Sequence, residues 1–234
     1  QRKQVDTPSF NSQLRTHLKV VLKDDTFNEK LYDHKESLIF KNGILNMRTK
    51  KMTTEIVPES YVPENYIINW DFKEEKDDKK YKFIKEKLLQ IHNNSEEQLD
   101  YILRVYGYAL SGNMTEQILV NIKGVTAGNG KTTITESLKK IVPTLVEIYP
   151  SDILKSDFSR RHKYLWNIWG KRILGFEELP KDKKLDIKFL KDMTDGVLKN
   201  EILFGTSQDI PITGTIFSNS NHTPNFGTDV DEGL

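Results

Sequence analysis

Ile118-Leu119-Val120-Asn121-Ile122-Lys123-Gly124-Val125-Thr126-Ala127-Gly128-Asn129-Gly130-Lys131-Thr132-Thr133 is the stretch that decides the fold. An apolar segment, Ile118 to Ile122, reads as a buried strand and enters a run of small residues. A helix is expected to leave that run, from Thr132 to Val142. Strand, Gly-rich loop and helix in this order form a phosphate cradle. Small residues let backbone N–H groups turn inward, and the helix N-terminus adds partial positive charge. The usual P-loop pattern is G-x-x-x-x-G-K-[ST]. Here Val125 holds the first glycine position and Gly124 lies one residue earlier, while Gly128-Asn129-Gly130-Lys131-Thr132 is intact. Lys131 is placed to reach the β- and γ-phosphates of a nucleoside triphosphate. The Thr132 hydroxyl is placed to ligate Mg²⁺, and Thr133 to bond the α-phosphate. An ordinary Gly-rich turn with a surface lysine is the plain alternative, and the order of elements argues against it.

Downstream, short apolar runs alternate with helical patterns. Strands are expected at Val146 to Tyr149, Ile173 to Phe176 and Thr215 to Ser218. Helices are expected at Asp157 to Trp169 and Leu185 to Met193, and a hairpin within Ile202 to Ile212. This alternation predicts an α/β fold with a parallel sheet. A triphosphate site needs a carboxylate for the metal and a group that orients water. Glu177-Glu178, at the end of the Ile173 strand, supplies both. Glu177 is assigned to Mg²⁺ through water and Glu178 to the attacking water, and the reverse assignment stays open. Ile216-Phe217-Ser218-Asn219-Ser220-Asn221 then offers an amide for the γ-phosphate or the water. Asn221 is the first choice and Asn219 the second. Surface capping by the acidic pair, or a simple Ser-Asn turn, are the plain readings of these two segments.

Upstream, Leu14 to Leu22 has helical periodicity. Asn42-Gly43 between apolar runs signals a tight hairpin. Pro58 and Pro63 punctuate an extended stretch reaching Ile67, Ile68 and Trp70. The run Lys73 to Lys80 mixes charges and reads as a solvated linker or helix start. Tyr81, Ile84, Leu88 and Ile91 share one helix face, ended by His92-Asn93-Asn94. Ser95 with Gln98 forms a capping box for the next helix. Its stripe is Leu99, Ile102, Leu103, Tyr106 and Leu110, and Gly112-Asn113 stops it. These patterns divide the chain into residues 1–113, an α+β and helical unit, and 114–234, a nucleotide-binding core.

Composition bounds the rest. The 234 residues suffice for a sizeable core, and 36% hydrophobic with 29% charged residues describes a globular chain. No apolar run approaches the ~20 residues that span a bilayer, no secretory signal opens the chain, and a cytoplasmic setting is expected. Cysteine is absent, which excludes disulfides and cysteine-ligated zinc. The five histidines lack metal-ligand spacing. A formal charge of +1 gives no argument for nucleic-acid binding, so DNA contact would need local clusters of Lys and Arg. Arg160-Arg161-His162 is one such cluster, otherwise a solvated face. Trp166 and Trp169 read as core residues. The first residue is not Met, which suggests an excised piece.

The order Gly128-Asn129-Gly130-Lys131-Thr132, Glu177-Glu178, Asn221-x-x-Pro224 resembles superfamily 3 helicases of the AAA+ class. It is most similar to the helicase part of phage, plasmid and poxvirus-type primase-helicases, and to replication initiators of staphylococcal mobile islands. Phe40-Lys41-Asn42-Gly43-Ile44-Leu45, Gly107 to Gly112, Trp169-Gly170-Lys171-Arg172 and Leu190 to Gly196 extend the resemblance upstream and between the motifs. It implies a ring-forming, usually hexameric ATPase of DNA replication, encoded by a phage or mobile element in a bacterial host. ATP would lie between subunits with Mg²⁺, and a primase or other replication partner is implied. It also implies a DNA-contacting hairpin, here about Lys199 to Thr213, with Lys199 its only lysine and Gly205 to Asp209 its turn. An arginine finger should follow the sensor asparagine, yet no arginine follows Arg172 in these residues. Such fingers supply about 10³–10⁵ in rate, or about 4–7 kcal/mol. The expectation is that this stretch alone binds nucleotide and hydrolyses it slowly. A nucleoside or small-molecule kinase, and a nucleotide-gated DNA-binding subunit with little turnover, are the competing readings.

Overall fold

The computed structural model describes residues 8–21, 34–54, 66–74, 77–124, 130–155, 161–179, 184–200 and 208–226. Four strands form a parallel sheet: β4 (Leu119–Lys123), β5 (Val146–Tyr149), β6 (Ile173–Phe176) and β9 (Thr215–Ser220), in the order β4-β9-β6-β5. The chain is thus α/β, with the parallel core of a P-loop nucleotide-binding fold. Ile173 and Leu174, and likewise Ile216 and Phe217, fall into different apolar clusters. Successive side chains of a strand point to opposite faces, so the sheet has a core on each side. One cluster holds Leu154, Ile168, Leu174, Met193 and Ile216; the other holds Phe40, Ile68, Leu99, Tyr106, Val146 and Phe217. The Tyr106 ring stacks on Phe217 with centroids 4.7 Å apart and planes 2° apart.

Local chemistry sets the helix ends. Helix α2 (Asp78–Ile91) starts at Asp77, whose carboxylate accepts the Lys80 N–H at 3.1 Å. Helix α3 (Glu96–Ser111) starts at Ser95, whose hydroxyl accepts the Gln98 N–H at 3.2 Å, and it ends at left-handed Gly112. These bonds satisfy N–H groups that a first helical turn otherwise leaves open. Helix α4 (Lys131–Ile141) follows the phosphate loop, one residue earlier than expected. Helix α6 (Ile187–Thr194) is capped by Asp186, which accepts the Phe189 N–H at 3.0 Å. Helix α1 (Pro8–Val21) begins before the expected Leu14.

Several expectations need correction. The hairpin of β1 (Ser37–Phe40) and β2 (Gly43–Asn46) turns through Lys41-Asn42, with Phe40 opposite Gly43. Gly43 is therefore a strand residue; at φ +148° its absent Cβ avoids the Thr53 carbonyl oxygen, 2.5 Å away. That oxygen belongs to β3 (Lys51–Thr53), a strand too short and polar to show in the sequence. The β4 strand is half-buried rather than buried, because it forms one edge of the sheet among the described residues. The helix expected over Asp157 to Trp169 shrinks, among the described residues, to α5 (His162–Leu165) and a 3-10 turn (Trp166–Ile168). Leu165 and Ile168 there are both buried. The second hairpin begins earlier than expected, pairing β7 (Val197–Asn200) with β8 (Gln208–Pro211).

Two arginines, Arg161 of the basic cluster and Arg172 at the start of β6, make structural contacts. Arg161 pairs with Asp186 at 2.8 Å, donates to the carbonyls of Ile153 and Lys155, and lies 4.1 Å over the Phe189 ring. It straps α6 to the segment after β5 rather than standing as a solvated charge. Arg172, 4% exposed, donates to the carbonyls of Ser111 at 3.2 Å and His34 at 2.6 Å. It ties the end of α3 and the start of the first hairpin to the base of β6. Trp169 packs partly buried against the core, as expected.

Candidate functional site

Parallel strands that end together bring sequence-distant residues to one edge, where ligands of open α/β sheets bind. Here β6 and β9 run side by side, and α4 packs across them. Gly175 makes that approach possible, since a Cβ would stand 3.0 Å from the Thr135 methyl on α4. The first residues of α4 thereby face the ends of β6 and β9. A pocket of about 500 Å³ opens there, lined by Gly130 to Thr133, Glu177, Glu178, Asn219 and Asn221 among others.

Gly130 caps α4 at φ +78°, a left-handed conformation that suits glycine. The Lys131 ammonium donates to the Asn221 side-chain carbonyl at 2.8 Å. The Asn221 amide in turn donates to Glu178. Lysine, asparagine and glutamate from α4, the end of β9 and the end of β6 thus form one hydrogen-bonded chain across the pocket. Glu177 and Glu178 are exposed, in contrast to the fully buried β6 that carries them. The Glu177 N–H is held by the Tyr149 carbonyl at 3.1 Å, and the Leu179 N–H by the Asn219 carbonyl at 3.0 Å. The acidic pair is therefore gripped by strands on both sides.

Of the residues singled out in the sequence, Gly130, Lys131, Thr132, Thr133, Glu177, Glu178 and Asn221 line this one pocket. Asn219 lines it too, without joining the Lys131–Glu178 chain that Asn221 completes. Gly128 and Asn129 lie outside the described residues. Lys199 lies elsewhere, in β7 opposite Asp209, and the turn residues Gly205 to Ser207 fall outside the description. The donor set fits a hydrated Mg²⁺–triphosphate: a lysine for phosphate, a hydroxyl and a carboxylate for the cation, an amide beside a second carboxylate. No group of three or more His, Asp or Glu able to hold a metal without phosphate occurs among the described residues.

Sequence reasoning missed the contribution of α2. Its last residue, Ile91, occupies the space over Gly130, with Cγ1 2.8 Å from where a Cβ would stand. No periodicity signals a contact between a helix end and a loop so far along the chain.

No protein-family model matches the chain, and no curated protein matches it. Among solved structures, the apo C-terminal region of NrS-1 (305–718) is similar with a TM-score of 0.49 and 18% identity, over 65% of this chain and 36% of that one. Another crystal form, the A form of the same apo region, gives 0.47 and 19%, over 64% and 35%. The chain spans about a third of the length of these neighbours. At this distance the likeness carries no functional argument. No helix among the described residues is long and apolar enough to cross a membrane.

Proposed function

We propose that this chain is the nucleotide-binding part of an ATP-driven DNA helicase and replication initiator of the superfamily 3, AAA+ type. The observation that carries this reading is the Lys131–Asn221–Glu178 chain across a pocket at the ends of parallel strands. A lone lysine at a helix start is generic. A lysine joined through an amide to the carboxylate of a neighbouring strand has the parts for triphosphate hydrolysis.

In the proposed reaction, Lys131 and the α4 N-terminus neutralise the β- and γ-phosphates. Thr132 and Glu177 would hold Mg²⁺, which when bound would supply positive charge to the γ-phosphoryl oxygens. Glu178 orients a water in line with the γ-phosphorus, and Asn221 fixes Glu178 and that water relative to the phosphate. The water attacks, the bond from γ-phosphorus to the bridging oxygen breaks, and ADP leaves with inorganic phosphate as the second product. A hexameric ring with ATP between subunits, DNA contacted by the β7–β8 hairpin with Lys199, a replication partner and a bacterial cytoplasmic setting complete the proposal.

The test is Mg-ATP binding and hydrolysis by the chain, with and without single-stranded DNA, beside Lys131→Ala. Binding that requires Lys131, and hydrolysis that DNA accelerates, support the reading. Phosphoryl transfer to a nucleoside without DNA stimulation would replace it with a kinase.

A further inference from the structure

The chain carries a formal charge of +1, but its positive charge is unevenly placed. Helix α2 holds five lysines against Asp78 and Glu86, a net +3, which leaves −2 for the rest of the chain. None of its residues is buried, and Tyr81, Phe83 and Ile84 are each more than half exposed. The mixed-charge run that ends at Lys80 thus leads into a helix that presents cations and apolar groups to solvent.

Residues three and four apart are neighbours on a helix. Lys79, Lys80, Glu86 and Lys87 therefore surround Phe83, whose ring is 60% exposed. The Lys87 ammonium lies 5.6 Å from the ring centroid. Lys80 bridges the exposed Asp77 at 3.2 Å, a surface pair of little worth that a stronger anion can displace. The opposite side of α2 is the attached one. Lys85 lies about 160° round the helix from Phe83 and pairs with Glu96 of α3 at 3.0 Å. Leu88 and Leu89, about 140° and 120° from Phe83, pack partly buried against the core. These contacts turn the Phe83 face outward.

We propose that the Phe83 face of α2 binds single-stranded nucleic acid, with a base stacked on the ring and the flanking phosphates held by Lys79, Lys80 and Lys87. A nucleotide strand repeats a flat base and an anionic phosphate, and this face offers the complement of each within one helical turn. A duplex hides its base faces, so the ring selects an unpaired strand. An anionic bilayer would need the apolar groups in one stripe, whereas Tyr81 and Ile84 lie about 160° and 100° round the helix from Phe83. An acidic peptide would use the lysines and leave the ring idle. Glu86 is the one acid beside the ring and opposes the bound strand. The proposed function places DNA at the β7–β8 hairpin. The α2 face is a separate surface on the upstream unit, and it needs no nucleotide.

The experiment follows a fluorescein-labelled oligothymidylate by anisotropy, without ATP, over a series of salt concentrations. Phe83→Leu is expected to weaken binding about tenfold, within the worth of one base–aromatic stack, and Phe83→Trp to keep it. Lys79→Gln combined with Lys87→Gln is expected to reduce the slope of log affinity against log salt by about 1.4, at about 0.7 per phosphate. Glu86→Gln is expected to tighten binding, a gain that misfolding does not produce. A blunt duplex of the same length should be indifferent to Phe83→Leu. Unchanged oligothymidylate affinity in Phe83→Leu overturns the proposal. So does a loss confined to Lys199→Gln, which would leave the hairpin as the DNA contact. A wild-type chain that binds polyglutamate or phosphatidylserine vesicles but not oligothymidylate overturns it in favour of an acidic protein or a membrane. Lys131→Ala, the test of the phosphate site, is expected to leave oligothymidylate binding intact, so the two readings fail separately.

Discussion

The residues that flank the four-residue strand β6 follow opposite rules. At its base, Arg172 is buried, and its guanidinium is spent on the carbonyls of Ser111 and His34. At its tip, Glu177 and Glu178 are exposed, and their surroundings hold a lysine and an amide at the mouth of a pocket. A charge whose partners are buried main-chain carbonyls holds units together. A charge whose partners are movable side chains beside open space is free to meet a ligand. The same strand therefore serves as an anchor below and as a platform above.

The strongest way to break this contrast is Glu178→Gln. It is expected to lower kcat for ATP by about 10²–10⁴, the range of a positioned base, with Mg-ATP binding and the melting temperature nearly unchanged. A rapid-quench assay beside calorimetry checks it, and normal turnover would remove Glu178 from the chemistry. At the other end, Arg172→Met should destabilise the fold by about 2–4 kcal/mol, because it strips charged hydrogen bonds from buried carbonyls. Urea denaturation reads that loss, and the folded fraction should keep its nucleotide affinity. A fully stable Arg172→Met protein would show that the anchor is not needed.

Lys131→Ala is expected to weaken ATP binding by about 1.5–3 kcal/mol, the range for a charge-assisted bond, with little effect on folding. Competition against a fluorescent nucleotide would measure it. The smallest effect belongs to the cap of α6. Asp186→Ala removes the cap of α6, worth about 1 kcal/mol, together with the Arg161 partner. It should lower the thermal midpoint and leave kcat alone, which a melting curve and a steady-state assay settle together.

Much of the candidate site was legible because its chemistry is local. Gly130-Lys131-Thr132 announces itself by composition, and Glu177-Glu178 by standing at the end of an apolar run. The helix caps at Ser95, Gly112 and Asp186 are likewise near-neighbour effects, and the first two were read directly. The failures share a cause as well. The β3 strand has three residues and gains its identity only from pairing with β2. The Asp157 segment reads as one helix by periodicity, yet its described part is a single helical turn followed by a 3-10 turn. Arg161 looked like a surface charge because nothing in its neighbourhood names Asp186 or Phe189.

The sequence by itself determined the α/β alternation, and it proposed the phosphate loop and the residues for triphosphate chemistry, because each depends on short-range pattern. Only the tertiary structure decided that Asn221 rather than Asn219 joins Lys131 to Glu178. Only it placed the end of α2, through Ile91, against Gly130. Those relations come from strand order and helix packing, which bring residues far apart in the chain within hydrogen-bond distance, and no local pattern encodes them.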